Sequence, residues 1–373
     1  MKILINTSTL KGTGVVQVAS SFINECVSIT DNDYVIFLSP GVKHNIDIES
    51  FPDNFKFYEF GRESLYSMKG RIDKKNMKQI EKKEKPDVVF SVFGPALWKP
   101  KAPHILGYAY PYYVYKDSPL FPLLSLRDRI LIKVKELYHM YRLKFEGAYF
   151  VCETDDVANR LSKYHNIKRS NIYRVYNTAS SVFLNYRNIS YSRFDDEFRF
   201  FTLCSPYRHK NMEILNKVIP LLKQKHFDKI VKFYVTFPEK DFQRIFDVSV
   251  REWIVNVGPL AIKDCPDLVK KCDALFLPTL LECYSASYPE AMCLGKPILT
   301  SNLSFAETVC KEAALYFDPL DENSIVDRIE TLILNPEIRD MLISKGYNRL
   351  AEFGTARDRA IEYLKICKEV ASL

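Results

Sequence analysis

The feature that most limits how this chain can fold is a regular alternation of short apolar runs with longer amphipathic ones. In the first half the apolar runs are Lys2 to Ile5, Tyr34 to Leu38, Phe55 to Phe60, Asp87 to Ser91, His104 to Tyr108, Ala148 to Cys152 and Ile172 to Tyr176. Helical patterns lie between several of them, clearest at Val15 to Ile29 and Thr154 to Tyr164. Such alternation predicts parallel sheets wrapped by helices, an α/β class of fold. Residues 178 to 197 lose the pattern and carry Asn, Ser, Tyr and acidic residues, the composition of a linker. The alternation resumes at Phe198 to Leu203 and runs to about residue 335, and the tail from about Ile338 is helical in pattern. At 373 residues the chain is long enough for two domains with cores of their own. The expected division is 1–178, a linker at 179–197, a second domain at 198–354 and a final helix at 355–373.

Residues 273 to 300, D-A-L-F-L-P-T-L-L-E-C-Y-S-A-S-Y-P-E-A-M-C-L-G-K-P-I-L-T, concentrate the chemistry. Ala274 to Leu277 reads as a buried strand ending at Pro278. A loop follows, and Ser287-Tyr-Pro-Glu290 has the S-x-x-E form of a helix start with Pro289 in its first turn. Ligands of parallel sheets bind at the loops leaving the carboxyl ends of strands, and two carboxylates sit there, Glu282 and Glu290. A phosphate at the helix start would meet free amides, with the two carboxylates on either side to accept hydrogen bonds from sugar hydroxyls. The residues alone leave a second reading open, in which Glu290 is the third-position partner of a Ser287 capping box and Glu282 a solvated loop charge.

The spacing of Glu282 and Glu290 resembles the E-x(7)-E signature of the retaining glycosyltransferases of family 4, whose fold is GT-B. P-E-A-M-C-L-G-K-P-I-L-T-S-N is similar to that family's helix and following strand, and A-A-L-Y-F-D-P-L-D, residues 313 to 321, to its next segment. The resemblance is strongest over residues 198 to 335. It implies two Rossmann-like domains facing across a cleft, the first on the acceptor side and the second holding a nucleotide-diphospho-sugar, with the last helix crossing back to the first domain. One departure stands out: the family commonly has E-G-F-G where this chain has Glu282-Cys283-Tyr284-Ser285, so the loop lacks two glycines and their dihedral freedom.

Other stretches add candidates. Strand Phe198 to Leu203 leads into C-S-P-Y-R-H-K-N, where Arg208 and Lys210 form a cation pair at a strand-to-helix junction, a planar fork and a point charge suited to a diphosphate. Lys210-Asn211 matches the family's downstream Lys, while its Gly-Arg is replaced around Ser205-Pro206. His209 reads as a loop residue. W-I-V-N-V-G-P-L, residues 253 to 260, resembles the loop that holds the nucleobase, with Gly258, Pro259 and Leu260 at its tip. Tyr284, Ser285, Ala286 and Ser287 supply amides and a hydroxyl for the donor phosphate. In K-G-T-G-V-V-Q, Gly12 and Gly14 either let backbone approach a diphosphate or acceptor, or only shape a tight turn; in the resembled family this loop lies at the cleft. Residues 104 to 122 are dense in Tyr and Pro, and Tyr108, Tyr110 and Tyr112 are acceptor-side candidates. Family relatives often carry an important His there; His104 falls at the strand start, so no catalytic histidine is nominated.

Composition narrows the partners. The net charge of +7 favours anionic ligands, and no nucleic-acid motif accompanies it, so nucleic acid is not expected. Leu126 to Phe145 is a basic amphipathic stretch, with Ile130, Val134, Leu137 and Tyr141 on one face among Arg127, Arg129, Lys133, Lys135, Arg142 and Lys144. It is either a membrane-surface helix for anionic lipid or an ordinary domain helix with a charged face. No apolar run approaches a membrane span, and M-K-I-L-I-N-T-S-T runs straight into a strand without a signal-peptide core. Nine cysteines lie scattered with no C-x-x-C pair, which fits a reducing cytoplasm and gives neither a zinc site nor a disulfide framework. The single D-x-D, Asp31-Asn32-Asp33, precedes a strand, the wrong end of a sheet for a metal-diphosphate site, so neither metal nor other cofactor is expected.

The resulting expectation is a cytoplasmic retaining glycosyltransferase, peripheral at the inner face of the membrane in the lipid-helix reading. It would move a sugar to a glycan or lipid-linked acceptor in bacterial surface polysaccharide synthesis, such as lipopolysaccharide or capsule. Glu282 would position the donor sugar, Lys210 and Arg208 would stabilise the departing diphosphate, and Glu290 would hold the ribose. A nucleotide-sugar epimerase of GT-B fold, or an inactive GT-B partner subunit, are the competing readings.

Overall fold

The computed structural model describes residues 1–61, 68–96, 98–187 and 196–373. The stretch 188–195, within the expected linker, lies outside the described residues. Two parallel sheets organise the chain. The first contains β1 (Lys2–Asn6), β2 (Asp33–Leu38), β3 (Phe55–Glu59), β4 (Val88–Ser91), β5 (His104–Gly107), β6 (Tyr149–Cys152) and β7 (Ile172–Arg174). The second contains β8 (Glu197–Thr202), β9 (Ile230–Val235), β10 (Ile254–Asn256), β11 (Ala274–Leu277), β12 (Ile298–Ser301) and β13 (Ala314–Phe317).

Spatial order is β3-β2-β1-β4-β5-β6-β7 in one sheet and β10-β9-β8-β11-β12-β13 in the other. Every neighbouring pair is parallel. Both are doubly wound sheets of Rossmann type, in which the order reverses once, between β1 and β4 and between β8 and β11. The central strands are buried on both faces, as β4, β5, β11 and β12 show throughout, which is why they read as unbroken apolar runs. In the second sheet Phe200, Phe233, Phe276 and Phe317 form a chain of ring contacts with centroids 5.2 to 5.7 Å apart, stacked at both ends and edge-on between Phe233 and Phe276.

The chain divides into two compact units, and the division does not follow the sequence simply. One unit comprises Met1–Tyr115, Ser125–Asn177 and Gly354–Leu373; the other comprises Lys116–Leu124 and Thr178–Phe353. The final helix, Ala356–Ala371, belongs to the first unit. It opens with a capping box between Thr355 and Asp358, just after Gly354 at φ +67° breaks the preceding helix. Its Tyr363 ring packs on Phe22 and Phe90, each 5.1 Å away, and Leu364, Cys367 and Val370 join the same core. Arg359, 4% exposed, donates to Asn177 Oδ1 and to Ser21 Oγ.

Candidate active site

In the second sheet the chain leaves β8 toward β9 and β11 toward β12, in opposite directions, so their loops part at the reversal point. The loop after β8 turns at Asn211, which takes a left-handed conformation (φ 55°, ψ 31°) and donates its side-chain amide to Pro319 O at 2.8 Å. Asn tolerates that region better than most residues. The loop after β11 is pinned to it through one carbonyl: His209 O accepts from Leu280 N at 2.7 Å and from Thr279 Oγ1 at 3.0 Å. That stitching brings Lys210 and Glu282 together as a hydrogen-bonded ion pair through Glu282 Oε1.

Both side chains of this pair keep 13% exposure, enough to meet a ligand. Burial works against the charge on Lys210, but the Glu282 carboxylate outweighs it and holds the ammonium above the usual lysine value. One N–H of the ammonium goes to Glu282, so two donors remain. Glu282 Oε2 accepts no hydrogen bond among the described residues. Neighbouring His209 is pushed down to about 4, chiefly by burial, and is neutral at neutral pH.

Glu290 sits in a different environment. The helix runs Ser287–Cys293 with Ala286 at its N-cap and no side-chain capping bond. Ser287 Oγ reaches Leu203 O instead, at 3.5 Å, so the capping-box reading of Glu290 is not what forms. The carboxylate has no hydrogen-bond or ion-pair partner among the described residues, and burial pushes its pKa up to about 8. The thiols of Cys265 and Cys293 lie close enough to feel its charge. The amides of Ser285, Ala286 and Ser287 and the Ser285 hydroxyl likewise have no partner among the described residues. Despite the missing glycines, no residue from Thr279 to Ser287 takes a positive φ. This path therefore needs no glycine.

Arg208 is exposed, and its guanidinium donates to Leu123 O. Gly258 has φ +77° with open space where a Cβ would stand; its amide and that of Phe237 both donate to Asn256 Oδ1, at 3.3 and 3.1 Å. Pro259 is exposed and Leu260 half-buried. Tyr284 lies edge-on to Phe353 at 6.3 Å.

The remaining candidates belong to the first unit. Gly12 caps helix Thr13–Cys26 at φ 92°, and a Cβ at Gly12 or Gly14 would meet nothing within 4 Å. Tyr108 is 1% exposed and its hydroxyl donates to Tyr110 O at 3.0 Å. Its ring is buried, so it offers an acceptor no exposed face. Tyr110 is half-buried, donates to Gly94 O at 2.9 Å and stacks on Tyr113; Tyr112 is half-buried. A histidine does arrive beside these tyrosines, from a distant helix: His139 Nδ1 is 2.8 Å from Tyr113 Oη, and burial lowers its pKa. No spacing in the sequence signals it. His104 is buried between Ser91 Oγ and Glu146 O, 2.9 Å from each. Among the described residues no group of three or more His, Cys, Asp or Glu gathers as a metal site.

Residues 198–335 match the family model described as Glycosyl transferases group 1. Over 138 residues the chain is 22% identical to the O-antigen chain mannosyltransferase B of Escherichia coli, an alignment covering 37% of this chain and 36% of that protein. The match thus spans about a third of the curated relative's length. The structure is similar to that of a glycosyltransferase from Rickettsia africae ESF-5, with TM-score 0.74, 13% identity, and 99% and 98% of the two chains covered. It is also similar to Anabaena HepE in complex with UDP and glucose, with TM-score 0.67, 13% identity and full coverage of both. These likenesses give the whole chain a GT-B type of fold, in which residues 198–335 carry the match to the group 1 glycosyl transferases.

Proposed function

We propose that the protein is a retaining glycosyltransferase that takes its sugar from a nucleotide-diphospho-sugar. The observation that carries this reading is the Lys210–Glu282 pair at the reversal point of the second sheet, with Glu282 on the same loop-helix segment as the partnerless Glu290. Ribose hydroxyls would donate to Glu290. Glu282 Oε2 would accept from the donor sugar while Oε1 stays with Lys210. As the bond from the anomeric carbon to the diphosphate breaks, negative charge grows on the leaving oxygens. The two remaining Lys210 donors and the amides of Ser285 to Ser287 would stabilise it, with Arg208 joining once it leaves Leu123 O. The acceptor oxygen would attack from the same face as the leaving group, and its proton would pass to the departing diphosphate. Charge neutralised by these groups makes the step metal-independent in this reading.

That the Escherichia coli relative is an O-antigen chain mannosyltransferase supports a glycan or lipid-linked acceptor in surface polysaccharide synthesis. Helix Leu126–Glu146 supports presentation to that acceptor at an anionic membrane. Leu126, Ile130, Val134, Leu137, Tyr141 and Phe145 recur at helical spacing, each at least 45% exposed, with five Arg and Lys among them outside the packed Arg142. No helix among the described residues is long and apolar enough to cross a membrane. Contact would thus be peripheral, with the protein on the cytoplasmic face.

The test is thermal stabilisation by UDP, GDP, ADP and their sugars for the wild type and for Glu290→Ala. One nucleotide should raise the melting temperature according to its concentration over its dissociation constant, and the variant should lose the shift. No shift with any of them would remove the donor-site reading. Retention is then read from the anomeric configuration of the product by NMR.

A further inference from the structure

The segment Lys116–Leu124 stands in the first half of the sequence yet packs with the second sheet's unit. Hydrogen bonds of Ser118 and Leu123 tie it there. Ser118, 7% exposed, donates its Oγ–H to Leu280 O at 2.7 Å and accepts from Leu120 N at 3.2 Å. Leu123 O accepts from the Arg208 guanidinium.

The first bond completes a frame around a single residue. Leu280 N–H is held by His209 O at 2.7 Å, and its carbonyl is held by Ser118. With both backbone groups anchored, the chain leaves Leu280 in a set direction toward Glu282, two residues on. The Ser118 hydroxyl is itself fixed in direction, because it accepts from Leu120 N while it donates. The second bond orients the one arginine among the clamp candidates. Both bonds act on groups assigned to the donor, and neither reaches Glu290 or the Gly258 loop.

Resting on the donor-site reading, we infer that Ser118 is a positioning residue for Glu282. Lys116–Leu124 is then a built part of the donor site, although its sequence lies outside the donor half. The inference separates two quantities that a merely structural contact would move together. Nucleotide affinity rests on Glu290 and the Gly258 loop, whereas turnover depends on where Glu282 stands.

The experiment measures hydrolysis or transfer of the sugar nucleotide that stabilises the wild type, beside calorimetric affinity for its nucleoside diphosphate. Ser118→Ala should lower kcat about fivefold, the factor corresponding to one hydrogen bond's net contribution. Diphosphate affinity should stay within about twofold, because the groups that hold the nucleotide are untouched. Ser118→Thr keeps the hydroxyl and should restore most of kcat; should the Ala variant fail to fold, the near-isosteric Ser118→Cys gives the same comparison with a weaker donor. An unchanged kcat in a folded Ala or Cys variant would overturn the inference. So would a parallel fall in kcat and affinity that Thr does not repair, which would make Ser118 an ordinary packing contact. A wild type that turns over no sugar nucleotide would instead defeat the donor-site reading, and the inference with it.

Discussion

Replacing Glu290 by Gln should uncouple nucleotide binding from pH. In the free protein burial raises this carboxyl from its ordinary value of 4.5 to about 8, so at neutral pH it is mostly protonated. A ribose whose hydroxyls donate to it favours the carboxylate instead, so binding expels a proton. The sign follows. Below about pH 8 the affinity should rise with pH, by up to tenfold per unit, each unit corresponding to about 1.36 kcal/mol, and level off above it. Cys265 and Cys293, the titratable neighbours, are pushed up to about 11 by burial and stay neutral throughout. The nucleotide's own phosphate titration is common to both proteins and cancels in their ratio. Calorimetry in two buffers of different ionisation enthalpy counts the protons released. Wild type should release about one more proton per site than Glu290→Gln near pH 7. The same linkage makes the unliganded fold lose stability as pH rises from 4.5 toward 8, because there the native state holds a proton that the unfolded chain has released. Parallel affinity–pH curves for the two proteins, with equal proton counts, would refute the reasoning.

Three further outcomes follow from the structure. Lys210→Met leaves Glu282 without its cation and removes the charge proposed to meet the diphosphate; turnover should fall by about a hundredfold to a thousandfold in steady-state kinetics, with Lys210→Arg partly recovering it. Leu137→Glu with Tyr141→Glu changes side chains that are 62% and 65% exposed, so the melting temperature should barely move while co-sedimentation with anionic vesicles falls; equal sedimentation would remove the membrane role of that helix. Tyr363→Ala empties a site that is 5% exposed between Phe22 and Phe90, and chemical denaturation should show a loss of about 3–5 kcal/mol, felt in the first unit.

The architecture was largely legible because its signals are local. Strands buried on both faces must be apolar throughout, and amphipathic helices must show their period, so two parallel sheets followed from pattern alone. The candidate residues of the second half are local in the same sense. A strand ending at Pro278, a loop carrying Glu282 and a helix carrying Glu290 are consecutive in the chain, and a cation pair after β8 is visible as Arg208 and Lys210. Residue types that suit a diphosphate and a sugar announced themselves by spacing.

Partnership was not legible, because it depends on which strands lie side by side. Strand order places β8 next to β11, and only that adjacency turns Lys210 and Glu282, 72 residues apart, into a pair while Arg208 goes to Leu123 O. Ser287 is spelled like a cap but bonds Leu203 O. Whether a hydroxyl caps its own helix or reaches a neighbouring loop is settled by what packs beside it. Tyr108 was a fair candidate for a binding surface until packing put its ring in the core. Ser118 carries no signal at all, since a backbone carbonyl such as that of Leu280 is the same group at every position and any nearby hydroxyl will satisfy it. Sequence by itself determined which elements form and which charged groups lie at the ends of the second sheet's strands. Tertiary structure decided which groups meet, because hydrogen bonds and ion pairs are set over a few ångströms by chain segments that the sequence keeps far apart.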